Sequence, residues 1–163
     1  MLSVFGDESC DESGQRTFAV AGVMGTQEQW EDVETEWSER TKGVPFHATD
    51  CDCDRGEYEG KDHKENKKLY TDLVKIISRS NLMGYGAVVD MKGHDEFFHD
   101  VISNIPYYYC FRDVVVWFAR LAYLSMGKEQ VRFTFDMNTK TNPSAVELYD
   151  YFANSTEWAY SSY

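Results

Sequence analysis

Acidic side chains follow directly on two apolar stretches of the chain. Asp7 and Glu8 come after LSVFG, which predicts a strand over residues 2–6, and Asp136 comes after VRFTF, which predicts a strand over Val131–Phe135. Carboxylates at the ends of neighbouring strands can converge at one edge of a sheet, where α/β proteins bind ligands. Such hard oxygen ligands suit Mg²⁺ or Mn²⁺, although a single Asp at a strand end is more often a turn former.

The triplet Asp-Glu-Ser occurs twice, at residues 7–9 and 11–13. The first copy directly follows the predicted strand, whereas the second is followed by Gly14 and has the composition of a hairpin turn. We therefore predict that Asp7 is the functional copy and that Asp11 lies in a solvated turn. A strand shifted along the chain would instead make Asp11 the ligand.

A second concentration of polar side chains is the segment PFHATDCDCD, residues 45–54. His47 and Asp50 are three positions apart, which puts both on one face of a helical turn. A histidine so placed could ligate a metal or transfer a proton, and Asp50 could be a ligand. A solvated acidic loop with an incidental histidine explains the same residues, so the segment alone leaves both interpretations open.

Two other metal sites can be tested on the same segment. Acids at 50, 52 and 54 resemble the start of a calcium loop, but Arg55 stands at the required glycine and Lys61 at the bidentate glutamate, so we reject it. Zinc is a minor alternative, because the Cys-x-Cys spacing is unusual and no second cysteine pair exists. Its ligands would be His47, Cys51, Cys53 and His63.

The elements that must position these side chains predict a mixed α/β fold: one domain over residues 1–163, with helices packed on a mixed sheet that begins as an antiparallel hairpin. Thr26 and Gln29 have the spacing of a capping box at a helix start. We expect His94 to face solvent. Between the first strand and the strand at Val131–Phe135, we predict a strand over 17–24, a helix over 27–41 and an irregular acidic segment over 46–62. A helical repeat through Leu69, Leu73 and either Ile76 or Ile77 follows, and then a strand over 82–90. Further helices are predicted from near His94 and from Pro106 to about Met126. A last helix is expected from Pro143 to about Tyr151.

Composition limits the classes of function. The chain has 163 residues and a net charge of −12, which disfavours non-specific binding of nucleic acid but suits a site where cations meet phosphates. No apolar stretch approaches the length of a membrane span, and the start of the chain lacks the features of a signal peptide. We therefore expect a cytoplasmic protein without membrane partners, whose four cysteines are free or metal-bound.

Three short motifs, taken in order, resemble a family. They are VFGDES followed by FAVAGV (residues 4–9 and 18–23), FHATD (residues 46–50) and RFTFD (residues 132–136). Together they resemble the uncharacterised bacterial and phage family catalogued as domain of unknown function 3800, whose members open with a DESG-type motif. The resemblance implies a ribonuclease-H-like fold and metal-dependent phosphodiester chemistry.

By resemblance, Asp7 is the first metal ligand, Asp136 the second strand-end acid, and His47 and Asp50 line the same site. Glu8 is expected nearby, although the strand pleat should direct it away from Asp7. Family members continue with a further strand and a helix that carries an Ala-Asp motif. This chain ends without that motif, so either it is a fragment of a longer protein or the last acid is absent. Glu147 and Asp150 are weak substitutes.

Two functions from different classes remain open. The first is a nuclease or related phosphodiester hydrolase that uses two Mg²⁺ or Mn²⁺ ions and acts on nucleic acid or nucleotides. The alternative is a non-catalytic acidic interaction domain, a pseudo-enzyme that binds a basic protein partner.

Overall fold

The computed structural model describes residues 1–11, 13, 15–98, 106–125, 127, 130–135, 146, 147 and 150. The chain divides into two compact units. The first comprises Met1–Met24 and Met83–Tyr163, and the second comprises Gly25–Leu82, which lies between two strands of the first in sequence. Each unit has a buried core of its own.

Over the residues that the structure describes, the first unit is built on a four-stranded mixed sheet. Its strands are β1 (Leu2–Cys10), β2 (Thr17–Thr26), β3 (Met83–Asp90) and β4 (Val131–Phe135). The order across the sheet is β3-β2-β1-β4, with β2 antiparallel to β3 and β1 parallel to β4. Because β1 and β2 are neighbours joined by a short turn, they form the antiparallel hairpin at the start of the sheet.

A long apolar helix covers one face of this sheet. It is α5 (Pro106–Ser125), which belongs to the first unit together with α4 (Met91–Phe98). The helices α1 (Gln27–Thr41), α2 (Ala48–Asp52) and α3 (His63–Arg79) belong to the second unit. Alternate strand residues, such as Val4 and Val20, pack against Val114 and Phe118 of α5, and all four are fully buried. This burial of apolar surface is the main stabilisation of the first unit.

The second unit is a helical layer. Thr26 and Gln29 form the predicted capping box at the start of α1, and the α1 bounds agree with the prediction. The side chain of Asp62 caps α3. The two helices pack through Val33, Leu73 and Ile76, with several aromatic side chains around them.

Most of the predicted elements are confirmed, including the mixed α/β class, β4, and α5 from Pro106. Apart from the end of β1, two predictions of local structure were wrong. The segment 46–62 is not irregular, because it contains α2 and a 3₁₀ turn at Gly56–Tyr58, each anchored by one buried side chain, Cys51 or Tyr58. His94 does not face solvent but is buried in α4, with its ring edge-on to Tyr109.

The last predicted helix and the question of membrane-spanning helices can be compared with the structure only over the described residues. The helix predicted from Pro143 falls largely outside it, although residues 146, 147 and 150 are helical. Among the described helices, none has the combination of length and apolar character that crossing a membrane requires.

Candidate functional site

Asp7 lies within β1 and not at its end, which corrects the predicted strand boundary. The strand continues to Cys10 because pairing in the hairpin with β2 supplies backbone hydrogen bonds beyond the apolar run. The Asp7 side chain is exposed, and its Oδ1 accepts a hydrogen bond from the Glu8 backbone N–H at 2.9 Å. An exposed carboxylate in this position can still bind a cation.

Glu8 points to the opposite face of the strand from Asp7. Alternate residues of β1, such as Leu2 and Val4, face α5, and Glu8 belongs to the same alternation. Burial first, and then the nearby carboxylate of Glu8, raise the pKa of Tyr107 on α5 to about 12. Glu8 is therefore the weaker candidate for sharing a cation with Asp7.

The parallel pairing of β1 with β4 brings two residues that each precede an aspartate opposite one another. The register matches Leu2 with Val131 and continues to Gly6 opposite Phe135. In sequence, Gly6 is followed by Asp7 and Phe135 by Asp136. Asp136 itself lies outside the described residues, so its role as a ligand stays a prediction.

The two acids weighed as replacements for a missing ligand are in the described part of the chain. Glu147 and Asp150 are both helical and exposed. Their exposure alone does not assign either of them to a site, and both remain weak substitutes.

Asp11 has a turn-forming role. Its Oδ1 accepts hydrogen bonds from the backbone N–H groups of Arg16 and Thr17 at 2.8 and 2.9 Å, and its Oδ2 accepts from the backbone and hydroxyl of Ser13. The Ser13 hydroxyl, followed by the Thr17 and Arg16 N–H groups, holds the pKa of Asp11 well below its usual range. A carboxylate occupied in this way stabilises the hairpin, as predicted for the second triplet.

His47 and Asp50 form a pair within the second unit. His47 is the residue that precedes α2, and Asp50 is in its first turn. His47 Nδ1 lies 3.1 Å from Asp50 Oδ2, and both side chains are exposed. The carboxylate favours the imidazole tautomer with its proton on Nδ1, which leaves Nε2 to accept a proton or to bind a cation.

A second pair of the same kind was missed by sequence reasoning. His63 Nδ1 lies 2.6 Å from Asp54 Oδ2, and Asp54 Oδ1 accepts a hydrogen bond of 2.8 Å from the Asn66 side chain. Asn66 is buried and also donates to the Tyr58 carbonyl oxygen at 3.1 Å. Hydrogen bonds from Asn66 and then His63 lower the pKa of Asp54. The interacting residues are eight to twelve positions apart, so no local spacing pointed to them.

The four predicted zinc ligands are all in the described part of the chain. Cys51 is buried and its Sγ donates to the Asn66 carbonyl oxygen at 3.3 Å, whereas Cys53 is exposed. Burial, with the negative charges of Asp54 and Asp52, raises the pKa of Cys51 and so disfavours the thiolate that zinc requires. Within the described ranges, no three His, Cys, Asp or Glu side chains are grouped to hold a metal ion.

Comparison with known proteins finds no similar protein. No protein-family model matches the chain, and no curated protein and no solved structure matches it significantly.

Proposed function

We propose that this protein is a divalent-metal-dependent phosphodiester hydrolase, a nuclease or a related enzyme, built on a ribonuclease-H-like fold. The observation that carries the proposal is the parallel register of β1 and β4, with Gly6 opposite Phe135. An aspartate follows each of these residues in sequence, and the equivalent ends of parallel strands lie at the same edge of a sheet. The mixed sheet with an initial hairpin supports the fold that the resemblance implies.

The donor set fits Mg²⁺ or Mn²⁺, because carboxylate oxygens are the ligands these hard cations prefer. Asp7 and Asp136 would hold the metal, and the exposure of Asp7 leaves its oxygens accessible. Bound there, the metal would lower the pKa of a water molecule and neutralise charge on the phosphate. Hydrolysis forms a bond from the water oxygen to phosphorus and breaks the ester P–O bond. A base accepts the proton that the water loses, and the leaving oxygen takes up a proton from solvent to become a hydroxyl group.

The resemblance assigns His47 and Asp50 to the same chemistry. The Asp50 carboxylate holds Nδ1 of His47, so Nε2 is the atom that could accept a proton. We propose His47 as the base and Asp50 as the residue that orients it. This part of the proposal is tested by its own variants, because the pair belongs to the second unit.

The test uses cleavage of single-stranded, duplex and RNA–DNA hybrid substrates with Mn²⁺. Asp7→Asn and Asp136→Asn should each lower the rate at least about 100-fold, since even outer-shell partners of metals cost about 10–100-fold. Asp11→Asn is the matched control, because it changes the same residue type in the second triplet and should keep the activity. His47→Gln and Asp50→Asn should lower the rate by about 10²–10⁴ if they act in proton transfer. Equal activity of Asp7→Asn and the wild type, or none under any condition, would contradict the hydrolase.

The non-catalytic interaction domain remains a second candidate because of α1. Six acidic side chains on this helix are exposed. Within the described chain only one of them, Glu36, forms an ion pair, and its partner is Arg79. Such a surface suits a basic protein partner. Binding of a basic protein that is unchanged in Asp7→Asn but lost when α1 acids are replaced by Gln would favour this function over hydrolysis.

A further inference from the structure

The outward face of α3 is basic, although the whole chain has a net charge of −12. The inward face of the helix is set by buried Asn66, Leu73 and Ile76. With about 3.6 residues per turn, the opposite face is centred on positions 64, 68 and 75. The exposed basic side chains on and around this face are Lys64, Lys67, Lys68, Lys75 and Arg79.

Among the described residues, two of these five side chains form ion pairs inside the unit and three do not. Lys67 Nζ lies 3.6 Å from Asp52 Oδ1, and the Arg79 guanidinium forms an ion pair with the Glu36 carboxylate. In the part of the chain that the structure describes, Lys64, Lys68 and Lys75 form no ion pair. We call these three residues the α3 basic stripe.

The helix α1, which packs against α3, has the opposite charge, so the basic character belongs to α3 and is not shared by the rest of the unit. In sequence, α1 carries six acids and one Arg, whereas α3 carries five Lys or Arg and two acids. Charge is therefore separated by helix within one unit. The field of such a unit attracts a polyanion to α3 and repels it from α1.

The length of the stripe fits a polymeric anion better than a single phosphate. At about 1.5 Å of rise per residue, Lys64 and Lys68 are about 6 Å apart along the helix axis, and Lys64 and Lys75 about 16 Å. One strand of duplex DNA carries a phosphate about every 3.4 Å of axis, so the stripe spans about five phosphates.

We propose that the α3 basic stripe is a binding surface for the phosphate backbone of a nucleic-acid strand. This inference rests on the proposed hydrolase and narrows its substrate to a polymer, as opposed to a free nucleotide. The contacts are with phosphates, so the stripe positions a strand without selecting its sequence.

The stripe is tested by fluorescence anisotropy with a labelled single-stranded DNA of about 20 nucleotides in EDTA, which separates binding from metal-dependent cleavage. The test variant is Lys64→Glu with Lys75→Glu. The matched control is Lys92→Glu with Arg132→Glu, which makes the same change of four charge units at exposed positions of the first unit. Urea unfolding of both variants checks that they fold.

Wild type should bind at low salt and weaken as salt rises. The test variant should bind at least about tenfold more weakly, and its slope of log affinity against log salt should be shallower by about 1.4, which corresponds to two single-strand phosphate contacts. The control should lose less than about twofold.

Three results would overturn the inference. One is no binding by wild type at about 50 mM salt, and another is equal weakening in both double variants, which would reflect net charge alone. The third is a salt-sensitive dimer in sedimentation, lost in the test variant and without DNA binding, which would show α3 paired with α1 of a second copy. The two proposals fail in different experiments. The DNA binding of Lys64→Glu with Lys75→Glu, measured in EDTA, tests the α3 basic stripe and not the cleavage chemistry. Cleavage by Asp7→Asn at the wild-type rate would contradict the hydrolase and would leave the binding surface untouched.

Discussion

Gly6 on β1 lies directly opposite Phe135 on β4, and the Phe135 ring occupies the space that a side chain on residue 6 would need. A Cβ added to Gly6 would also lie 2.8 Å from the carbonyl oxygen of Ala21 on β2. Glycine is therefore required here by close packing on both sides of β1. The contact joins β1 and β4 at Gly6 and Phe135, the residues that Asp7 and Asp136 follow in sequence.

Gly6→Ala should destabilise the protein by about 1–3 kcal/mol, because overpacking forces the Phe135 ring or the backbone to move. Gly84→Ala is the matched control on β3, since a Cβ there meets only the Gly22 carbonyl oxygen, at 3.9 Å. Urea unfolding followed by circular dichroism measures both. A Gly6→Ala protein as stable as Gly84→Ala would contradict this account of the β1–β4 contact.

Asn66→Ala should lower the free energy of unfolding by about 1–3 kcal/mol, the cost of leaving buried polar groups without partners. Asn66 is buried and its side chain supports both Asp54 and the Tyr58 carbonyl. The neighbouring exposed residue provides the control, and Glu65→Ala should cost a few tenths of a kcal/mol. Chemical denaturation distinguishes the two. An equal loss of unfolding free energy in the two variants would show that the hydrogen bonds of the Asn66 side chain do not stabilise the fold.

Asp54→Asn should lower stability at neutral pH and matter less in acid. Hydrogen bonds from Asn66 and His63 hold the pKa of Asp54 below its ordinary value of 3.8, so its folded pKa is lower than its unfolded pKa. The stabilisation is therefore fully present above about pH 4 and is lost as the pH falls through the folded value. Urea unfolding over a series from about pH 6 to about pH 3 should show the gap between wild type and Asp54→Asn closing in acid. Glu57→Gln removes one exposed charge in the same segment and is the control; the same closing gap in that variant would contradict the role of Asp54.

Cys10 and Cys53 should react with iodoacetamide before Cys51 and Cys110. The first two are exposed, whereas burial shields the other two and raises the pKa of each thiol. Mass spectrometry should show two rapid adducts in native protein and four in urea. Added Zn²⁺ should leave Cys53 reactive; protection of Cys53 by zinc would instead support the minor zinc site.

Local signals in the sequence determined several elements of the fold. The bounds of α1 follow from the Thr26–Gln29 capping box and the helical spacing after it, and α5 begins at Pro106, a favourable first helical position. The alternation in β4 predicted its bounds. These features depend on neighbours a few residues apart, so they can be read without knowing the tertiary structure.

Where local signals were weak, the sequence misplaced boundaries. The strand β1 continues through polar residues to Cys10 because β2 supplies its hydrogen bonds, and the short helix α2 forms where Cys51 is buried. Both depend on burial or pairing with other segments, which overrides local preference.

The sequence by itself determined which side chains could do chemistry: Asp7 after the first apolar run, and His47 with Asp50 three positions further on. Only the tertiary structure decided which of them meet. It paired β1 with β4, which lies near the other end of the chain, turned Glu8 toward α5, and joined Asp54 to His63 and to a buried Asn66. The physical reason is that long-range pairing is selected by the burial of whole faces, which no short window of sequence contains.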